Sequence, residues 1–182
     1  MSADAPGPAT KGTILLIDDV AENLWVLADM LLGFGFSPRP VTSGKAALKL
    51  LKSLPVDLVL LDANMPEMSG FELCTLLKAD PALRVIPVVF LSAADDASHK
   101  VEAFRSGASD YLSKPFQLEE VHARVKLHLR LGALERERAA WAARRGELED
   151  ALARAEALAR EAAVAGVPGA AAVGDALAGL LR

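Results

Sequence analysis

What this chain lacks narrows it first. Its 182 residues hold one cysteine, Cys74, so no internal disulfide can staple the fold and a reducing compartment suits it. The thiol reads as a small buried hydrophobe on a helix. No apolar run approaches the ~20 residues that a membrane span needs. Positive charge is not in excess either. The formal net charge is -4, which argues against a nucleic-acid partner, because such proteins carry a basic patch or stripe. The opening MSADAPGPATKG lacks the basic-then-apolar order of a signal peptide and reads as a disordered leader over 1–12. A cytoplasmic protein without a membrane anchor is expected.

What is present is regular. Hydrophobic residues make up 52% of the chain, enough for one globular domain with an appendage. Short β-branched runs at Ile14–Ile17, Asp57–Leu61 and Val88–Leu91, with weaker ones at Pro38–Val41 and Asp110–Leu112, predict five strands. Between them, helical spacing places Leu24, Leu27, Ala28, Leu31 and Leu32 on one face, and Ala47, Leu48 and Leu51 on another. Phe71–Lys78 and His99–Ser106 repeat the pattern, and Gly or Pro falls at the joints. Central strands that are apolar on both faces belong in a parallel sheet between helices. The predicted class is α/β, with a doubly wound five-stranded parallel sheet. Reactive groups in such sheets gather beyond the carboxyl ends of the strands.

Those ends carry chemistry. The first strand runs into Asp18-Asp19, the third into Asp62, the fourth into Ser92 and the fifth into Lys114-Pro115. One such Asp alone is as readily a helix cap. Three acids together would raise one another's pKa unless a cation joined them. A hard divalent ion such as Mg²⁺ takes oxygen ligands and commonly keeps water and a phosphate oxygen in its shell. A carboxylate left facing solvent is then a nucleophile toward phosphorus, with Ser92 and Lys114 placed to stabilise phosphoryl oxygens. Beyond Asp62, Met65-Pro66 fixes the loop and Gly70 lets it turn into the next helix.

The segments LLIDDVAENL, LLDANMPEMSGFEL, VVFLSA and DYLSKPF resemble, in order and spacing, response-regulator receiver domains, and the match spans about Gly12 to Leu129. The resemblance implies a flavodoxin-like strand order of 2-1-3-4-5 and a set of roles. Asp62 is the phosphoacceptor. Asp19 and Asp62 hold Mg²⁺ with the backbone carbonyl of Asn64, and Asp18 acts through water. Ser92 hydrogen-bonds the phosphoryl group, Lys114 pairs with it, and Tyr111 is the aromatic that follows Ser92. The Lys114–Pro115 bond is cis in this family. Ser92 stands where Thr is commoner, and it lacks the methyl that restricts the rotamer.

The implied activity is signalling. A sensor histidine kinase supplies the phosphoryl group, and the chain's only chemistry is self-phosphorylation and autodephosphorylation. His99, His122 and His128 read as surface residues on helices rather than phosphodonors. From Leu118 to Ala165 there is no Pro, and a 3-4 spacing of Leu127, Leu131, Leu134, Trp141, Leu148 and Leu152, broken by Arg138 and Arg145, predicts a coiled-coil extension over 130–165. A homodimer through that helix follows, after a receiver unit over 13–129. A lone solvated helix competes with this reading. The tail over 166–182 is Gly/Ala-rich and reads as flexible, with room for a short terminal helix.

Three alternatives stand beside the switch. The chain is a regulatory piece of a larger output enzyme, such as a diguanylate cyclase or a phosphatase. It is a receiver-like scaffold that takes no phosphate, against which Asp18, Asp19, Asp62, Ser92 and Lys114 speak. Or it is a metal-dependent phosphohydrolase, which would need a second acid after the nucleophile, where Asn64 stands instead.

Overall fold

Alternation along each strand decides the layers. The computed structural model describes residues 11–93 and 97–180. Strands β1 (Thr13–Ile17), β2 (Ser37–Val41), β3 (Leu58–Asp62), β4 (Val88–Ala93) and β5 (Asp110–Lys114) form one parallel sheet in the order 2-1-3-4-5. Helices α1 (Ala21–Gly33), α2 (Gly44–Leu51), α3 (Gly70–Ala79), α4 (Ala97–Arg105), α5 (Leu118–Val164) and α6 (Ala170–Leu180) complete the described elements. Side chains alternate between sheet faces, so Leu15, Ile17, Val59, Leu61 and Phe90 pack with Ala47, Leu73, Cys74 and Leu77 of α2 and α3. Ile14, Leu16, Leu60, Val89 and Leu91 face the other way, onto Leu24, Leu27 and Leu31 of α1 and Val121 and Val125 of α5.

The predicted strands and the first four helices all form. Leu32 is the exception within α1: it is exposed, while Leu24, Leu27, Ala28 and Leu31 are buried. One residue beyond Leu31 turns about 100° around the axis and leaves the narrow core stripe. β2 carries Pro38 and Pro40 and sits at the sheet's edge, where a missing N–H costs no ladder bond. Local caps fix the helix starts. Ser43 Oγ accepts the Ala46 N–H, and Ser69 with Glu72 forms a reciprocal capping box at α3.

The chain divides into two units, one reaching Leu134 and one beginning at Glu135. In the second, α6 lies against the later part of α5: Ala159 and Ala170 are buried, and a Cβ at Gly174 would sit 3.7 Å from that of Ala159. The tail expected to be flexible therefore contains an ordered helix. Alanine is the best helix former, and small residues on both helices let them approach closely. Trp141 and Leu148 are 70% and 64% exposed. The leader falls outside the described residues as far as Thr10. Among the described residues no helix is long and apolar enough to cross a membrane.

Candidate functional site

The parallel topology delivers Asp18, Asp62, Ser92 and Lys114 to one rim. Asp18 directly follows β1, Asp62 closes β3, and Lys114 closes β5. Lys114 Nζ donates to Asp62 Oδ1 at 2.6 Å and to Asp18 Oδ2 at 2.8 Å. Asp18 is 1% exposed and Asp62 7%. The sheet thus joins two buried carboxylates through one ammonium. Asp18 also accepts the Val20 N–H at 2.9 Å and both bonds of the Asn23 amide, at 3.1 and 2.9 Å. Asp62 Oδ2 accepts the backbone N–H of Asn64 at 2.8 Å.

Burial pushes the Asp62 carboxyl above the ordinary aspartate value, and the Asp18 charge adds to it. Lys114 and the Asn64 N–H pull the other way and do not win. Burial also works to lower the Lys114 ammonium. Its hydrogen bonds to both carboxylates, with their charges, outweigh that and raise it. An ordinary ion pair would lower its acid. Asp62 departs from that pattern because its burial outweighs the ammonium, which also serves Asp18.

Ser92 is 2% exposed, and its Oγ is the buried side-chain oxygen that finds no partner among the described residues. An orphaned buried hydroxyl costs about 1–3 kcal/mol. Tyr111, on the neighbouring β5, is buried, with Lys100 Nζ 5.3 Å from its ring centroid. Asp19 is exposed. Among the described residues no three His, Cys, Asp or Glu side chains converge as a ready metal shell. The loop after Asp62 is tightly drawn. A Cβ at Gly70 would fall 2.2 Å from the Asp62 carbonyl oxygen, so glycine is required there by close approach. The Lys114–Pro115 peptide is cis.

Residues 14–126 match the family model of the response regulator receiver domain. The chain belongs to the response-regulator receiver family. Over 117 residues, 64% of this chain, it is 40% identical to the DNA-binding response regulator MtrA of Mycobacterium tuberculosis, covering 50% of that protein. Over the same length it is 38% identical to a Vibrio cholerae protein named "Probable cyclic di-GMP phosphodiesterase", covering 26% of it. The chain thus spans half or less of these curated relatives. Among solved structures, the receiver domain of a signal transduction histidine kinase from Syntrophus aciditrophicus superposes with TM-score 0.62 at 34% identity, over 65% of this chain and 89% of that one. A Francisella response-regulator receiver domain gives TM-score 0.61 at 29% identity, over 66% and 98%.

The receiver also holds residues that the sequence reading passed over. Asn23 steadies Asp18 from the first turn of α1, five residues on. His128, read as a surface residue, is 6% exposed, and its Nε2 lies 2.9 Å from Asp110 Oδ2. Arg124 Nη1 donates to the same oxygen at 2.7 Å, and Asp110 Oδ1 accepts the Tyr111 N–H at 2.8 Å. The signal was available. Arg124 and His128 are four apart on α5 and so share a face. His122 likewise is not a bare surface residue, because its ring stacks on Phe34 at 3.9 Å.

Proposed function

We propose that this chain is a two-component response regulator in which Asp62 accepts a phosphoryl group from a sensor histidine kinase. The observation that carries the reading is the strand-end rim, where Lys114 bridges Asp62 and Asp18 beside the unpartnered hydroxyl of Ser92. In the transfer, an Asp62 carboxylate oxygen attacks phosphorus. The phosphorus–nitrogen bond of the donor histidine breaks, and its electron pair leaves with the nitrogen. Lys114 Nζ and Ser92 Oγ then have phosphoryl oxygens to donate to. Hydrolysis of the aspartyl phosphate by water resets the switch.

The donor set suits Mg²⁺. Two buried carboxylates share one ammonium, a third acid, Asp19, adjoins them, and all offer hard oxygen. Asp19, Asp62 and the Asn64 carbonyl would hold the ion, with Asp18 acting through water. When bound, it supplies charge neutralisation at the phosphoryl oxygens.

The new phosphate brings nearly two negative charges and three acceptors into the rim. Ser92 turns inward to it, Tyr111 follows, and the surface of β4, β5 and α5 repacks. Output runs through pairing of two copies along α5, whose Leu127, Leu131, Leu134, Trp141 and Leu148 are all exposed in the single chain. A cytoplasmic setting accords with a kinase partner. The second reading, a regulatory receiver of a longer output enzyme, is favoured by the Vibrio cholerae relative, of which this chain matches 26%.

Intact mass after incubation with a small phosphodonor and Mg²⁺ tests the reading. The wild type gains one phosphoryl group and Asp62→Asn gains none; an unmodified wild type refutes it. Light scattering before and after phosphorylation tests the pairing.

A further inference from the structure

At the opposite end of the sheet from Asp62 a basic hollow opens beside α5. Lys11, Phe36, His122, Lys126, Leu129 and Arg130 line about 430 Å³, within the range of small-molecule sites. Lys11 and Phe36 lie just before β1 and β2, at the amino ends of the strands, whereas Asp62 closes the carboxyl end of β3. The two sites share no residue.

Among the described residues no ion pair compensates the cations of this hollow. His122, Lys126 and Arg130 are spaced four apart on one face of α5, and the like charges of Lys126 and Arg130 at that spacing repel. Lys11 stands across from them. Its N–H donates to the Gly35 carbonyl at 3.1 Å, and its side-chain carbons run along Gly35. None of Lys11, Lys126 and Arg130 forms an ion pair among the described residues. Asp57, beyond Gly12 and Leu129, uses Oδ2 to accept the Thr13 N–H. In a chain of net charge -4, such a concentration of free cations has no internal purpose.

The floor has a different character. Phe36 is buried, Leu129 is half-buried, and the His122 ring is held flat on Phe34, with an interplanar angle of 8°. Phe36 meets the same imidazole at a tilt, 6.1 Å between centroids. A bare inorganic anion would leave this apolar floor uncovered. An uncharged ring would leave the three cations unneutralised. We infer that the hollow binds a small phosphate ester with a flat body, of the nucleotide class. The ring lies over the half-buried His122 and Leu129, with Phe36 buried beneath, and the phosphates meet Lys11, Lys126 and Arg130.

Calorimetric titration of the full chain in EDTA, at low salt, tests the inference without a contribution from Mg²⁺ at the acidic rim. The probes are ADP, UDP, adenosine and pyrophosphate. At least one diphosphate nucleotide should bind at a single site more tightly than about 1 mM, with adenosine and pyrophosphate at least about tenfold weaker. The double variant Lys126→Glu/Arg130→Glu, at two exposed side chains, should lose at least about tenfold in that affinity while keeping its phosphorylation on Asp62. Asp62→Asn should bind the nucleotide as the wild type does. Binding of neither nucleotide, pyrophosphate binding as tightly as the nucleotide, or a charge reversal without effect would overturn it.

Discussion

Asp62 closes β3 and Asp110 opens β5, and their side chains are shielded to a similar degree, at 10% and 16% exposure. Yet their carboxyls are pushed in opposite directions. For both, burial is the largest influence and acts upward. At Asp62 it prevails over Lys114, which also serves Asp18, and over the Asn64 N–H. At Asp110 it is outweighed by the bond to His128, the Tyr111 N–H and Arg124, and the carboxyl falls below its ordinary value. Deeper burial at Asp62 and more donors at Asp110 together set the two directions. The rim is left under-neutralised, which suits the cation and the phosphoryl group proposed for it. The Asp110 cluster is satisfied and serves as an anchor between β5 and α5.

The largest expected effect comes from removing the shared cation. Lys114→Ala should lower the initial rate of Asp62 phosphorylation by a small phosphodonor about 10²-fold, the scale of losing one preorganised donor to a developing charge. Time-resolved intact mass reads this, and an unchanged rate would remove Lys114 from the reaction. A smaller effect tests the rim's strain directly. An acid whose folded pKa is raised is destabilising when ionised, and that cost vanishes as pH falls through the raised value. Asp62→Asn should therefore raise the melting temperature in EDTA at pH 7, by about 2–4 °C. Asp110→Asn should lower it. If Asp62→Asn lowered it too, the contrast between the two acids would be lost.

Most of the fold was legible because period-2 and period-3.6 apolar spacing reports directly on burial, and the joints carry Gly or Pro. The strand-end residues were legible for a related reason: a parallel sheet sends every strand's end to the same rim. What the sequence hid depended on which neighbours meet. Asn23 and His128 are polar residues on helices, and only the packing of α1 and α5 against the sheet turns them toward Asp18 and Asp110. The role of Gly70 was half visible. A turn was foreseeable, but the approach of its backbone to the Asp62 carbonyl is a tertiary distance. The helix over 170–180, for which the sequence left room, carries glycines whose helical cost is offset by contact with α5.

The finest test of the comparison is pH. Asp110 has a folded value below its unfolded one, so its charge contributes stability that is complete above the ordinary aspartate range near 4 and is lost as pH falls through the depressed folded value. Breaking one of its bonds should cost about 1–3 kcal/mol, the range for a hydrogen bond to a charged group. His128→Leu keeps the buried volume roughly constant while removing that bond. Its deficit in denaturant unfolding should shrink below about pH 5, as Asp110 takes up a proton in the wild type and its charge no longer distinguishes the two proteins. The Asp62→Asn advantage should shrink on acidification too, but from a higher pH, because its acid is protonated sooner. A buried and a half-buried aspartate on one sheet would then titrate on opposite sides of the ordinary value. Equal midpoints for the advantage and the deficit would mean that the two carboxyls are not pushed to opposite sides of the ordinary value.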